Sequence, residues 1–198
     1  MQTTFLTLKT PYGYETKDSH SVFSQDFKIS IHEIITEEYA MEVIELLLAF
    51  QNEDPNRRID LFISSPGGSV SAGFMIKGVI DVLKNPIRTI ACGFPSSMGA
   101  VLAVILSNDR HALPYTRFMF HQPWRKDFSG QASDFLIYAK EMETEKIIIY
   151  QLLAEKSVLS ESEIDLLCDR DTWIDTDQAI TMGFISDVLK KGDLYETK

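Results

Sequence analysis

The sequence has little of several features that would assign a function class directly. It contains only two cysteines, Cys92 and Cys168, which are too few for a disulfide scaffold and are not spaced as zinc ligands are. Its longest apolar stretch runs from Met98 to Leu106, about half of the length that a membrane-spanning helix needs. These absences argue against a disulfide-rich secreted domain, a zinc module and a spanning segment.

Positive charge is also scarce. The chain carries 19 Lys and Arg against 29 Asp and Glu, a formal net charge of −10. An acidic surface repels phosphate groups and anionic lipids, so we expect neither a nucleic-acid partner nor a membrane partner. Residues 1–9 show no basic segment followed by an apolar run, so they do not have the pattern of a secretory signal and we expect a cytoplasmic protein.

What is present indicates one α/β domain. Hydrophobic residues make up 44% and charged residues 24% of 198, which is ordinary for a single domain with a sizeable core. Residues 1–26 are polar and are expected to be irregular, forming a flexible N-terminal arm, with one domain over 27–198. Alternating strand and helix patterns predict mostly parallel strands. The strands are predicted at 27–31, 59–63, 87–92 and 118–120, and the helices at 37–50, 70–83, 97–106 and 132–156, with capped helices after Ser160 and Asp175.

The first candidate for chemistry is the segment from Gly93 to Ala100. A strand ends there, a turn containing Pro95 follows, and a helix begins at a serine. A hydroxyl at a helix N-terminus lies beside free N–H groups and the positive end of the helix dipole, which favour a developing anion. Ser97 is therefore a candidate nucleophile in a partial nucleophile elbow, with Pro95 where that motif has glycine. The plainer alternative is that Ser96 or Ser97 only caps a buried helix.

The second candidate is the glycine pair Gly67 and Gly68, which lies within Ser64–Ser69 at another strand-to-helix junction. Glycine permits backbone geometry closed to other residues, and N–H groups there can face a carbonyl oxygen as an oxyanion hole. The segment contains no lysine, so it is not a phosphate-binding P-loop. A sharp turn without chemistry is the alternative.

A histidine and an acidic cluster complete the candidate residues. Of four histidines, His121 alone ends an apolar strand and precedes a forced break at Pro123, where a general base would lie. The cluster Asp169–Asp171 comes before a short apolar segment, and one of its carboxylates can hold an imidazole by its far nitrogen. Considered alone, His121 is more simply explained as a structural histidine and the acidic cluster as a solvated turn.

Taken together in the order Ser, His, Asp, these segments resemble the proteolytic subunit of the Clp protease, a family of serine peptidases. The resemblance runs from about Glu37 to Leu189 and is carried by the stretches 62–73, 97–100, 113–123, 130–134 and 169–171. The chain departs from the family where 94–96 precede the serine in place of small residues, and where 124–127 follow the histidine segment in place of glycines.

The resemblance implies a fold and a role for each residue. The fold would be a crotonase-like α/β spiral with a long handle helix. Ser97 would attack the scissile carbonyl, His121 would be the general base, and Asp171 would orient the imidazole. The N–H groups of Gly68 and Met98 would hold the oxyanion. The chain would need no metal ion or cofactor.

The resemblance also implies an assembly and its partners. Two stacked seven-membered rings would enclose the active sites. An AAA+ ATPase unfoldase would feed unfolded proteins or peptides into the chamber at the expense of ATP, while this chain would bind no nucleotide.

Three other functions stay open. A catalytically silent subunit of a mixed ring would assemble without turnover, although all three triad residues are present. A crotonase-fold acyl-CoA enzyme would share the oxyanion hole, but no Glu or Asp lies between Ser64 and Lys77 or between Gly93 and Ser107. A peptidase with a Ser–Lys dyad would leave the histidine and aspartate idle.

Overall fold

The computed structural model describes residues 4–126 and 129–194. Strands and helices alternate along most of the described chain. In chain order they are β1 (Phe5–Thr10), β2 (Gly13–Asp18), α1 (Ser19–Gln25), β3 (Lys28–Ile31), α2 (Glu37–Glu53), β4 (Ile59–Ile63), α3 (Val70–Val82), β5 (Ile87–Ala91), α4 (Met98–Ile105), β6 (Asp109–Ala112), β7 (Arg117–Phe120), α5 (Ala132–Glu155), α6 (Glu161–Cys168), β8 (Thr172–Asp175), α7 (Thr176–Thr181) and β9 (Asp187–Val188).

A parallel sheet lies at the centre of the fold. Strands β3, β4, β5, β6 and β9 are neighbours in that order, and every pair is parallel. On one face Leu61 and its neighbour Thr89 are fully buried, and the Thr89 hydroxyl donates to the Ala103 carbonyl of α4 at 2.9 Å. All eight residues of α4 are buried. The predicted α/β class with parallel strands is confirmed.

The starts of two helices were predicted correctly from their capping residues. Ser160 and Glu163 form the expected capping box at α6, and the Asp175 side chain accepts from Gln178 N at the start of α7. Such caps depend on residues three apart, so they can be predicted without knowing the tertiary fold. Helix α5 is 24 residues long, as its periodicity predicted. No helix in the ranges 4–126 and 129–194 has both the length and the apolar character needed to cross a membrane.

The N-terminal region differs from the irregular segment that its polar composition suggested. Strands β1 and β2 form an antiparallel hairpin, and α1 follows with its N-terminus capped by Asp18. The rings of Phe23 and Phe62 lie 5.3 Å apart, so α1 covers the sheet face opposite α4. The irregular interpretation was wrong because a turn at 11–12 pairs two strands that carry little apolar alternation. The flexibility of 1–26 and the boundary at residue 27 stay predictions.

A two-stranded ribbon outside the main sheet connects distant parts of the sequence. Strand β7 pairs antiparallel with β8, from Arg117 opposite Asp175 to Phe120 opposite Thr172. The sequence predicted a strand at 118–120 but not β8, which is four residues long. Short strands carry too little periodicity to be recognised, and the same reason applies to β6 and β9.

Candidate active site

The backbone at Ser97 is strained. Ser97 precedes α4 with φ 53° and ψ −129°, a region that residues other than glycine rarely adopt and that costs about 1–3 kcal/mol. Its side chain makes no capping hydrogen bond to the helix. Simple helix capping therefore does not explain this serine. A strained turn between a strand and a helix is the geometry of a nucleophile elbow, and it forms here with Pro95 in place of glycine.

The two adjacent serines have different surroundings. Ser96 is 8% exposed, and its hydroxyl donates to the Phe94 carbonyl at 3.0 Å. Ser97 is half-buried and lines an open cavity. The hydroxyl of Ser96 is thus engaged inside the protein, whereas that of Ser97 is the one available to a substrate.

Hydrogen bonds of the main chain hold Ser97 from two sides. The Ser97 N–H donates to the Met119 carbonyl at 2.8 Å, and the Met119 N–H donates to the Pro95 carbonyl at 3.1 Å. On the other side the Ser96 N–H donates to the Ser65 carbonyl at 3.0 Å. Strand β7 and the glycine segment therefore both fix the position of the serine.

Glycine is required at both positions of the glycine pair. Gly67 has φ 99° and Gly68 has φ 151°, which disfavour other residues. A Cβ atom at position 67 would lie 2.7 Å from the Cβ of Ser97, and one at position 68 would lie 2.3 Å from the Ile35 carbonyl oxygen. Gly67 thus lets its segment approach the serine closely, and Gly68 lets the same segment pack against the main chain of Ile35.

The main-chain N–H groups of Gly68 and Met98 have no acceptor within 4–126 and 129–194. Met98 is the first residue of α4, and the first N–H groups of a helix have no partner inside it. The neighbouring Gly67 N–H, in contrast, donates to the Ser65 hydroxyl at 3.0 Å. Free donors beside a serine are what an oxyanion hole requires.

The β7–β8 ribbon brings the histidine and the aspartate to the same edge. Phe120 of β7 lies opposite Thr172 of β8, so His121, which follows Phe120, and Asp171, which precedes Thr172, lie at the same end of the ribbon. Because β7 also pairs with the segment before α4, through the bridge between Met119 and Ser96, the ends of three segments converge.

One cavity collects the residues singled out from the sequence. Its volume is about 1190 Å³, and its wall includes Ser97, Gly68, His121 and Asp171. The remaining wall is partly apolar and partly charged, and it includes Ile34, Glu37, Val70, Met119, Trp124, Arg125, Met142 and Glu145. Met98 is 2% exposed and is not among the residues that line the cavity, although its main-chain nitrogen lies close to Gly67.

The imidazole of His121 has a partner outside the predicted set. Its Nδ1 lies 2.6 Å from the carbonyl oxygen of Gln122. No hydrogen bond joins His121 to Ser97 or to Asp171 in the described part of the chain. The structure therefore brings the three side chains to one cavity without linking them. The described residues also contain no group of three or more His, Cys, Asp or Glu side chains that could hold a metal ion.

Sequence reasoning missed three residues that build the site. Met119 holds the Ser97 N–H, Gln122 accepts from His121, and the Ser65 hydroxyl joins Gly67 to the Glu33 carbonyl. Two of these contacts use main-chain carbonyls, which no side-chain pattern reveals. Ser65 had a signal, since a serine directly before a Pro-Gly-Gly turn can bond the main chain of that turn.

The fold and this site define an α/β protein with a strained serine, a histidine and a carboxylate around one cavity. A family model described as Clp protease matches residues 12–192. The match covers most of the chain, so the chain belongs to the Clp protease family. It is thus a member of a family of peptidases, as the resemblance indicated.

Proposed function

We propose that the chain is a serine endopeptidase with Ser97 as nucleophile, His121 as general base and Asp171 as the group that orients the base. The observation that carries the proposal is the pairing of β7, which contacts the Ser97 segment on one side and β8 on the other. It supports a site in which the three side chains act on one bound peptide, because all three line the same cavity.

The chemistry follows from the roles. Ser97 attacks the scissile carbonyl carbon while His121 takes the hydroxyl proton, and the N–H groups of Gly68 and Met98 receive the negative charge on the oxygen. His121 then gives the proton to the leaving amine, and water hydrolyses the acyl-enzyme by the same steps. The base would contribute about 10²–10⁴-fold and each oxyanion donor roughly 2.7–4 kcal/mol.

The cavity supports a peptide with apolar side chains as substrate. Ile34, Val70, Met119, Trp124 and Met142 contribute apolar side chains to its wall. An extended unfolded chain can reach such an open cavity more easily than a folded surface can. We therefore propose unfolded proteins and peptides as substrates, with preference for hydrophobic residues at the cleavage site.

Helix α5 supports an assembly. Leu136 and Ile137 in the first half of α5 are 75% and 65% exposed, and Ile148 in its second half is 39% exposed; large apolar side chains exposed on one element mark interaction surfaces. We propose that α5 is the handle of a crotonase-like spiral through which seven-membered rings stack. An AAA+ ATPase unfoldase would then supply substrates to the enclosed sites, making proteolysis ATP-dependent.

A second function is favoured by one observation. Because His121 is not hydrogen-bonded to Ser97 or Asp171 in the described residues, a catalytically silent subunit of a mixed ring is the alternative. Catalytic hydrogen bonds are commonly long or misaligned before substrate binds, so this geometry does not decide between the two. No observation favours an acyl-CoA enzyme over a peptidase.

Covalent labelling decides between them. We expect a fluorophosphonate to label the full-length protein at Ser97 by peptide mapping, with the label lost in Ser97→Ala and weakened in His121→Ala. Ser96→Ala is the matched control and should label normally. Absence of label at every serine, with sizing showing an assembled protein, would instead support the silent subunit. A monomer at working concentration would count against the rings.

A further inference from the structure

His121 has a hydrogen-bond partner that is not a member of the proposed triad. Its Nδ1 lies 2.6 Å from the Gln122 carbonyl oxygen. A carbonyl oxygen only accepts, so this contact requires the proton of the neutral imidazole on Nδ1. The other nitrogen, Nε2, is then unprotonated, and Nε2 is the atom that takes the proton from a nucleophilic serine in a triad.

The carbonyl that accepts this proton is held in place by its own residue. The Gln122 N–H donates to the Cys168 carbonyl at 2.8 Å, and the Gln122 side-chain amide donates to the Asp169 carbonyl at 3.3 Å. Cys168 is 1% exposed and is the last residue of α6. Gln122 is therefore anchored by its main chain and by its side chain to the end of α6.

Asp171 has a different environment. It is exposed and makes no hydrogen bond to His121 within the described ranges. Its negative charge still lies in the same cavity, where it would stabilise the imidazolium that forms when His121 takes a proton. In a Ser-His-Asp triad one carboxylate both fixes the tautomer of the histidine and stabilises its positive charge. Here each task has its own candidate, the Gln122 carbonyl for the tautomer and Asp171 for the charge.

We propose that the main-chain carbonyl of Gln122 is a positioning group that fixes His121 in the Nδ1–H tautomer, while Asp171 supplies the charge. This inference rests on the proposed function, in which His121 is the base for Ser97, and it transfers to Gln122 the orienting role that was given there to Asp171. When Asp is replaced by Asn in a triad that depends on the carboxylate alone, the wrong tautomer forms and the rate falls about 10⁴-fold. With the Gln122 carbonyl in place, Asp171→Asn keeps the tautomer and the loss is on the order of 10²-fold.

The test observes the tautomer directly. Solid-state ¹⁵N NMR of the sedimented full-length protein, labelled at histidine, distinguishes protonated from unprotonated ring nitrogens. The protein has only four histidines, and His121→Ala assigns the signal. The spectra are recorded about two pH units above the ordinary histidine pKa of about 6.5. We expect protonated Nδ1 and unprotonated Nε2 both in the wild type and in Asp171→Asn.

The outcomes separate this inference from the proposed function. Protonated Nε2 in Asp171→Asn together with a loss near 10⁴-fold in kcat would overturn the role of Gln122 and leave the triad intact. A wild-type protein that a fluorophosphonate does not label would overturn the proposed function, whatever the tautomer.

A second variant tests the anchor of the carbonyl. Gln122→Met keeps the length of the side chain but removes its donor to the Asp169 carbonyl. We expect kcat to fall roughly fivefold, the effect of losing one ordinary hydrogen bond, with KM unchanged and the acidic limb of the pH profile displaced. The exposed Gln25 at the end of α1 provides the control Gln25→Met, which should change nothing. A raised KM with unchanged kcat would mean that Gln122 only touches substrate, and would contradict the positioning role.

Discussion

The two sides of the cavity are built in different ways. On the nucleophile side, Ser97 is held by main-chain hydrogen bonds to Met119 and, through Ser96, to Ser65, and Gly67 lies against it so closely that no Cβ fits. On the base side, His121 follows a short strand and its side chain meets only the next residue's carbonyl among hydrogen-bond partners in the described chain. The first side is rigid by construction, and the second can adjust.

Under the proposed function, this difference assigns different behaviour to the two sides. The strained serine and the free N–H groups of Gly68 and Met98 would then need no rearrangement to receive a carbonyl group. The Nε2 atom of His121 makes no hydrogen bond to Ser97 in the described residues, so in the proposed mechanism these two side chains must approach each other while the Nδ1–H stays on the Gln122 carbonyl. Under the proposed function, substrate binding or assembly would have to act only on the base side.

The largest expected effect is on the rigid side. Ser97→Ala should lower the hydrolysis of an unstructured peptide by at least about 10⁴-fold with the fold intact, because it removes the nucleophile. Ser96→Ala should keep kcat within roughly threefold, because it loses only the bond to the Phe94 carbonyl. Initial rates and circular dichroism of both variants check this. The reverse result, an active Ser97→Ala and an inactive Ser96→Ala, would make Ser96 the nucleophile.

The second effect concerns stability on the same side. Gly68→Ala should destabilise the protein by roughly 2–4 kcal/mol, because its Cβ would lie 2.3 Å from the Ile35 carbonyl oxygen and the residue would need φ 151°. Gly78→Ala is the matched control. Nothing lies within 4 Å of its Cβ position in α3, so we expect a gain of roughly 0.5–1 kcal/mol. Urea unfolding measures both, and equal midpoints would show that the glycine side is not rigid.

The base side should tolerate change better. The Arg125 guanidinium lies 3.6 Å from the Glu145 carboxylate of α5, and the Arg125 side chain is 46% exposed. Exposed ion pairs contribute about 0–1 kcal/mol, so Arg125→Met should change the free energy of unfolding by less than about 1 kcal/mol. A loss above about 2 kcal/mol would mean that the base segment is fixed as firmly as the serine, and the contrast between the two sides would fail.

The same contrast explains what the sequence could predict. Ser97 and the glycine pair lie at strand-to-helix junctions whose geometry follows from neighbouring residues, so their convergence on one edge of a parallel sheet was accessible from local patterns. His121 and Asp171 lie at the same end of the ribbon because of the register in which β7 pairs with β8. The register between segments far apart in sequence is set by tertiary packing. In addition, β8 is too short to be predicted from its hydrophobic periodicity. Only the family resemblance pointed to Asp171 over Asp169.

Main-chain partners set a further limit. The Gln122 carbonyl and the Met119 carbonyl contact the candidate base and nucleophile segments, yet every residue carries a carbonyl. Their roles depend on where the chain turns after β7, and Pro123 gives the position of that turn but not its direction. The sequence therefore predicted which side chains gather at the cavity, and the structure was needed to show which main-chain atoms hold them.

The last prediction tests whether the adjustable side has a fixed anchor. Burial raises the pKa of the Cys168 thiol to about 12 and also raises the pKa of the half-buried Cys92 thiol. A raised thiol pKa lowers the thiolate fraction at pH 8, so both should react with iodoacetamide more slowly in the folded protein than in urea. Cys92 should react first, since Cys168 is 1% exposed.

Mass spectrometry of the alkylated protein measures the two rates, and a Cys92→Ser variant isolates the reaction of Cys168. The folded rate of Cys168 should rise as pH increases from 8 toward 12, because the thiolate fraction grows over that range. Fast modification of Cys168 at pH 8 would show that the end of α6 opens readily. Gln122 would then have no fixed point from which to orient His121, since its N–H is bound to the Cys168 carbonyl.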